Sequence, residues 1–273
     1  GWRRGAAGAG CCRRASFTGA IAGTWRRSGG GHAGFGCRGD RSIKESVSHA
    51  ALAQHLGVIV PVLHDDTHLK VLLNWLEEHQ LAAIVVDGAG SDITHKLVTA
   101  PHEYIAHQPG RGMQIACGVS ASNARWLWVL HADGLPSSAA LCQLGGLIKA
   151  KQPRWGRFNV KIEGLAVIAH MMNIRSRWSR ICTGDQGMFF HADLLQEIGG
   201  FPEQPLMEDI EVSRRLKSVA SNAFVALTAT VETSPRRWRR GGVVRTMLAM
   251  WIFRWRYFFG ADPVALARLY YRG

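Results

Sequence analysis

The run Trp126-Leu127-Trp128-Val129-Leu130 stops at His131-Ala132-Asp133, and Gly134 and Pro136 then break the chain. Five apolar residues bounded by turn formers read as a strand buried on both faces, the kind found in parallel sheets. A carboxylate just beyond such a strand sits where open α/β sheets bind ligands. The pattern recurs upstream. Leu56-Gly57-Val58-Ile59-Val60-Pro61-Val62 is an apolar run followed by His64, Asp65 and Asp66. Ala82-Ala83-Ile84-Val85-Val86 is another, and it delivers Asp87 to its C-terminal end. Between these two, Leu69, Leu72, Leu73 and Leu76 recur at i, i+3, i+4 and i+7, one apolar face of a helix capped by Asp65 or Asp66. Strand, helix and strand at this spacing make a βαβ unit with a right-handed crossover.

The chain continues in the same style. Ser91 or Asp92 caps a short helix through Leu97, and Tyr104-Ile105-Ala106 is a weak strand. Gln108 to Gln114 opens another helix, with Arg111 at its N-terminus, where amide groups and a guanidinium share an anion. Trp155 to Glu163 alternates as a strand, and Leu165 to Arg180 reads as a helix burying Met171, Met172 and Ile174. A turn at Ile198 to Pro202 precedes a helix with Glu208 and Asp209 at its start and Met207, Ile210 and Leu216 on its core side. The helix dipole favours the ionised form of both acids.

Composition narrows the class. The chain has 273 residues, 47% hydrophobic and 19% charged, ordinary for a globular core, with a net charge of +13. Residues 1–54 differ from the rest. They are rich in Gly and Arg, carry nine basic residues against Asp40 and Glu45, and show no sustained period. This segment reads as a basic extension, disordered or placed before the true start; the globular part begins near His55. The six cysteines form no C-x-x-C pair and read as reduced thiols without a zinc site. His64 and His68 lack a third ligand. No G-x-G-x-x-G follows the first strand and no G-x-x-x-x-G-K-[ST] loop exists, which counts against dinucleotide binding and NTP hydrolysis.

From about Leu56 to Tyr271 the sequence resembles family 2 glycosyltransferases of the GT-A fold. VIVPVLHDD is similar to the family's opening strand, IVVDGAGSD to its V-V-D-D-G-S-x-D string, and LHADG to its D-x-D. LMEDIEVSRRL is similar to the segment that supplies a catalytic base. PGRGMQ, WGRFNVKIEG, TGDQGMFF, GGFPEQPLMEDIEVSRRL and TSPRRWRRGGVVRTM resemble a bacterial subgroup associated with radical-SAM proteins and arsenosugar biosynthesis. Three departures stand out: His131 at the first D of D-x-D, Gly88 in place of a second acid, and His64-Asp65 where Asn and Glu are common.

The resemblance implies a three-layer α/β/α domain with a mostly parallel central sheet over 55–235, and a basic, aromatic helical segment over 236–273. It implies transfer of a sugar from a nucleotide-diphosphate donor to an acceptor hydroxyl of unknown identity. The leaving diphosphate gathers charge, which a divalent metal such as Mg²⁺ or Mn²⁺ offsets, and hard oxygen ligands suit it. Asp133 is then the metal contact. Pro61, Asp65, Asp87, Arg111, His131, Arg236, Arg237 and Trp238 hold the donor, with Asp87 on the base or ribose and the arginines on the diphosphate. Asp185 and Gln186 hold the acceptor. Direct attack with inversion needs a base for the hydroxyl proton; Asp209 is the choice and Glu208 the runner-up.

Two other classes compete. A nucleotidyltransferase shares the layered fold, but the first strand lacks its Gly-rich basic loop. A basic nucleic-acid-binding protein suits the charge but lacks groove-reading motifs, so no nucleic acid is expected as partner. Val243 to Phe259 mixes Trp251, Phe253, Trp255, Tyr257 and Phe258 with arginines, which suits a core helix or one lying on anionic membrane. No signal-peptide core is apparent, so the expected location is cytoplasmic, with peripheral contact at the inner membrane face.

Overall fold

A computed structural model of the chain describes residues 13–14 and 52–272. The expected extension 1–54 thus falls almost wholly outside the described residues, as does the side chain of Arg237. Nine strands form one sheet: β1 (Arg13–Arg14), β2 (Leu56–Val62), β3 (Ala83–Asp87), β4 (Glu103–Ala106), β5 (Trp126–Val129), β6 (Gly134–Pro136), β7 (Trp155–Ile162), β8 (Phe189–His191) and β9 (Phe224–Thr233). Their order is β1-β4-β3-β2-β5-β8-β7-β9-β6. The pairs β2–β3, β3–β4, β2–β5 and β7–β9 are parallel, and the remaining pairs are antiparallel. The parallel half is the part read from the strand-then-acid pattern. Its strand order reverses between β2 and β5, the switch point where such sheets open a crevice.

The helices are α1 (Asp66–Glu78), α2 (Asp92–Leu97), α3 (Arg111–Ala121), α4 (Ser138–Lys149), α5 (Ala166–Ser179), α6 (Ala192–Glu197), α7 (Glu208–Ala220), α8 (Arg236–Gly241), α9 (Val243–Phe258) and α10 (Pro263–Arg272). Strand alternation sorts the core into two layers. Val58, Val60, Trp126 and Trp128 face Leu69, Leu72, Leu73 and Leu76 of α1 and Leu141 and Leu144 of α4. Ile59, Leu127 and Val129 face Ile115 of α3, Leu194 and Leu195 of α6, and Val212 and Leu216 of α7. The result is helix, sheet, helix. Each fully buried Leu contributes about 1.5–3 kcal/mol.

Several local expectations change. Ser91 caps α2 as read, accepting from the amides of Ile93 and Thr94 at 3.2 and 3.5 Å. Asp65 holds the N-cap position of α1 as read, but its side chain takes no helix amide: it pairs with Arg236, and Asp66 accepts from Thr94 Oγ1 at 2.6 Å. Of the three α5 residues expected in the core only Met172 is buried, together with Ala169 and Ser176, while Met171 and Ile174 are about half exposed. The helix packs through a narrower face than its composition suggested. On α7 the core side is Val212 and Leu216, and the N-terminal acids are themselves buried. Cys117 is disulfide-bonded, against the expectation of reduced thiols; spacing along the chain does not register pairings made across a fold.

The C-terminal helices dock on this framework. Leu206, Leu266 and Ala267 form a cluster joined by Phe253, Tyr257 and Tyr270. Tyr257 also donates to Glu211 Oε2 at 2.8 Å, tying α9 to α7. Glu211 accepts further bonds from Arg214 at 2.8 and 2.9 Å and from Arg215 at 2.7 Å. The Arg214 bonds lead in holding its carboxyl down at about 2; burial opposes them, and the Arg215 and Tyr257 bonds assist. Between its ordinary value near 4.5 and about 2, the unfolded chain binds a proton that the native state does not. Acid therefore withdraws this stabilisation. Both arginines are solvent-exposed, which screens the pairs. Glu211→Gln is expected to cost about 1–2 kcal/mol at pH 7, with the gap to wild type closing toward pH 2. Denaturant unfolding across that range measures it, and a pH-independent gap would refute the assignment.

Candidate active site

A cavity of about 600 Å³ opens at the switch point. Its walls come from the end of β2 (Pro61, Val62, Leu63, Asp65), the start of α3 (Pro109, Gly110, Arg111, Gln114) and the end of β5 (His131, Ala132, Asp133). Pro205 and three residues of α10, Val264, Ala267 and Arg268, complete it. Pro61, Asp65, Arg111, His131 and Asp133, all read from sequence as site residues, are brought together here.

Asp133 is half-buried and accepts only a long bond from Thr233 Oγ1, 3.5 Å, among the described residues. Burial pushes its carboxyl up; His131 pulls it down, and the neighbouring charges of Asp185 and Asp65 push it further up. The charges of Asp65 and Asp185 thus bear on Asp133 at this edge. Asp65 is held by a two-pronged contact from Arg236, at 2.5 and 3.3 Å, and by His68 at 2.7 Å. His64 before it lies at φ +53°, a left-handed conformation that Asn and His tolerate better than most residues.

Asp87 is placed differently. It is fully buried, and its oxygens accept from Ala89 N (2.8 Å), Ser91 N (2.7 Å) and Tyr104 Oη (3.1 Å). Those bonds shape the loop after β3; Asp87 is not in the cavity wall. The neighbouring Gly88 has a physical reason: a Cβ there would stand 3.0 Å from the Gln114 amide. Gln114 Nε2 donates to Val62 O at 2.8 Å and Val86 O at 2.7 Å, clamping the ends of β2 and β3. Sequence reading missed Gln114 as a site residue. Its position one turn along the helix from Arg111 was the available signal.

The acids of α7 lie behind Arg111. Arg111 Nε makes a very short contact with Glu208 Oε1. Burial works to lower the Arg111 pKa, but the charges of Glu208 and Asp209 prevail and hold it up. Glu208 is 1% exposed; burial raises its pKa, Arg111 opposes this, and Asp209 adds to the rise. Asp209 Oδ2 accepts from Gly184 N at 3.1 Å and Oδ1 from Ile210 N at 2.8 Å. Gly184 is required by close approach, since a Cβ would meet His131 Nε2 at 2.3 Å. The Gly184 turn therefore links the end of β5 to Asp209. Asp185 reaches His131 Nδ1 at 3.3 Å. Gln186 is fully buried and donates to Ser176 Oγ at 2.9 Å and Asn173 Oδ1 at 3.2 Å, so its amide braces the turn against α5.

Trp238 lies apart from the cavity, 6% exposed and packed with Val160, Ile162, Ala169 and Met172. No group of three or more His, Cys, Asp or Glu side chains able to hold a metal exists among the described residues. The donor chemistry still fits a hard divalent ion if ligand oxygens share its coordination, because Asp133 offers lone pairs in an acid-rich setting.

A parallel half-sheet opening at β2 and β5, with acids at the strand ends and a mixed half closing the far side, is the GT-A glycosyltransferase fold. Solved structures agree. S. aureus TarS 1–349 in complex with UDP-GlcNAc matches with a TM-score of 0.54 and 17% identity, over 66% of this chain and 58% of that one. The mannosyltransferase PcManGT from Pyrobaculum calidifontis, in complex with GDP-Man and Mn²⁺, gives 0.52 and 18%, over 65% and 56%. Mannosyl-3-phosphoglycerate synthase from Rubrobacter xylanophilus gives 0.54 and 11%, over 79% and 78%. The chain thus spans less than two thirds of the TarS and PcManGT structures. No protein-family model and no curated protein matches the sequence.

Proposed function

We propose that the protein is an inverting glycosyltransferase of the family 2 type, using a nucleotide-diphosphate sugar. The observation that carries this reading is the position of Asp133, at the end of β5 in the wall of a cavity that Arg111 also lines. Asp133 would hold a divalent ion together with diphosphate oxygens, and that ion would offset charge on the departing nucleoside diphosphate. Arg111 adds a guanidinium at a helix N-terminus on the same side. Asp87 acts on the donor through the loop it shapes, and Asp65 through its contact with Arg236.

Asp209 is the general base. Its carboxylate takes the amide of Gly184, in the turn that carries Asp185 and Gln186, and its charge acts on Arg111 in the donor cavity. A base must lie between donor carbon and acceptor hydroxyl. Glu208 is committed to Arg111, which leaves Asp209 for the proton. The arsenosugar subgroup is the first place to seek the acceptor, on the strength of strings such as TGDQGMFF and PGRGMQ.

Peripheral contact with anionic membrane is part of the reading. No helix is long and apolar enough to cross a membrane among the described residues. Instead α5 exposes Val167, Met171, Ile174 and Trp178, and α9 exposes Leu248, Trp251, Trp255 and Phe258, the last 83% exposed. Apolar stripes on an arginine-bearing surface suit the headgroup boundary. The test is thermal stabilisation by a panel of nucleoside diphosphates and nucleotide sugars, with and without Mn²⁺. A metal-dependent rise for one nucleotide is expected, and no response from any would reject the reading.

A further inference from the structure

The charged groups in the wall of the main cavity differ in whether their charge is answered. Asp65 is held by Arg236 and His68, Arg111 by Glu208, and His131 by Asp185. Two groups are left over among the described residues. Asp133, from the end of β5, accepts only the long bond from Thr233. Arg268, from α10, lines the same cavity and makes no hydrogen bond or ion pair. Nor do these two pair with each other. The other described guanidiniums at this edge, Arg111 and Arg236, each face a carboxylate. Among the described residues, Arg268 is therefore the guanidinium of the cavity wall whose charge is unanswered.

The packing of α10 fixes this residue in the wall. Val264, Ala267 and Arg268 recur at i, i+3 and i+4, so one stripe of the helix faces the cavity. Leu266 and Ala267 are buried in a cluster with Leu206. Asp262 caps the helix start, accepting from Val264 N at 3.2 Å and Ala265 N at 3.1 Å. Tyr270 meets Phe253 of α9 edge-on, with ring centroids 5.6 Å apart, and Tyr257 of α9 bonds Glu211 of α7. The helix carrying Arg268 is thus tied to the helix carrying Glu208 and Asp209. A diphosphate bears more negative charge than one divalent ion offsets, and a guanidinium fork suits the remainder. We propose that Arg268 binds the diphosphate of the donor, answering the charge that an ion at Asp133 leaves over, with α10 as the wall that retains the donor. That the ligand is a nucleotide rests on the glycosyl-transfer reading; the phosphate contact at Arg268 does not.

The experiment uses the full chain and compares wild type, Arg268→Gln, Arg268→Lys and a control for net charge, Lys96→Gln. Lys96 is exposed on α2 and outside the cavity wall. Calorimetry with Mn²⁺ measures binding of UDP, GDP, ADP, CDP and inorganic pyrophosphate. For the nucleotide that binds wild type, Arg268→Gln is expected to weaken binding at least about tenfold. Arg268→Lys should recover part of the loss, since it keeps the charge without the fork, and Lys96→Gln should stay close to wild type. Equal affinity in Arg268→Gln and wild type overturns the assignment and leaves the transferase reading standing. An equal loss in Lys96→Gln also overturns it, because long-range charge would then account for the effect. If no nucleotide binds wild type but pyrophosphate binding depends on Arg268, the phosphate contact stands and the transferase reading falls. If wild type binds none of the five, both fall. The unfolding midpoint of ligand-free Arg268→Gln should match wild type, because the side chain makes no bond in the folded chain among the described residues. A lowered midpoint would make Arg268 part of the packing and overturn the assignment.

Discussion

Asp209→Asn is expected to cut sugar transfer at least about a hundredfold while donor affinity changes little. A positioned base contributes about 10²–10⁴-fold in rate, and Asn keeps the size while removing the basicity. Its one carbonyl oxygen can keep the bond from Gly184 N only by giving up the one from Ile210 N, so the turn can hold its place at a cost of about 1 kcal/mol in stability. Donor affinity rests on the cavity across Arg111 and should be spared. Glu208→Gln is the paired control, and the geometry sets a different outcome for it. Adjacent helical side chains point about 100° apart, and Glu208 points to Arg111. Breaking the pair leaves Arg111, a third exposed in the cavity wall, with the charge of Asp209 still beside it, so the cost falls at or below the low end of the about 3–5 kcal/mol of a fully buried pair. Glu208→Gln should thus melt earlier and lose donor affinity, with a smaller loss in turnover at saturating donor. Transfer rates, melting curves and NMR of the product's anomeric proton decide the matter. An active Asp209→Asn beside a folded but dead Glu208→Gln would move the base to Glu208. Retained configuration would exclude single displacement by either.

Asp133→Ala is expected to abolish metal-dependent donor binding without harming the fold. The carboxylate makes one long bond to Thr233 and stands among Asp65 and Asp185, whose charges oppose its own. Removing it relieves repulsion, so the unfolding midpoint should stay level or rise. Binding of nucleoside diphosphate with Mn²⁺ should fall toward the metal-free value, because no group of three or more metal-binding side chains stands in reserve among the described residues. Calorimetry with and without Mn²⁺ reads this directly. Equal affinity in variant and wild type would count against Asp133 as the metal contact.

Much of the fold was legible along the chain. The strand ends, the face of α1 and the Ser91 cap follow from residues within one or two turns of each other. The cavity's core was also legible, since Pro61, Asp65, Arg111, His131 and Asp133 each lie at the end of a strand or the start of a helix. Other readings failed for reasons outside the local pattern. Met171 and Ile174 looked like core because they are apolar, but α5 meets the sheet along a narrower face. Trp238 looked like a phosphate-side residue because arginines flank it, yet its ring fills a gap beside Val160 and Met172. Gln186, read as an acceptor contact, has its amide on Ser176 and Asn173. The α10 wall of the cavity had no local signature.

What the sequence determined by itself is the order of elements and which acids stand at the open edge of the sheet. Hydrophobic period and turn chemistry act over a few residues, and they suffice for that. The tertiary structure decided the pairings. Arg111 and Glu208 are 97 residues apart, and Asp65 and Arg236 are 171 apart. A charge carries no mark of its future partner in the chain. Only the packing of α3 against α7, and of α8 against the end of β2, brings each pair within reach. The same packing buries Arg157 with no carboxylate within ion-pair distance among the described residues, and it brings the Gly184 amide to Asp209 across 25 residues.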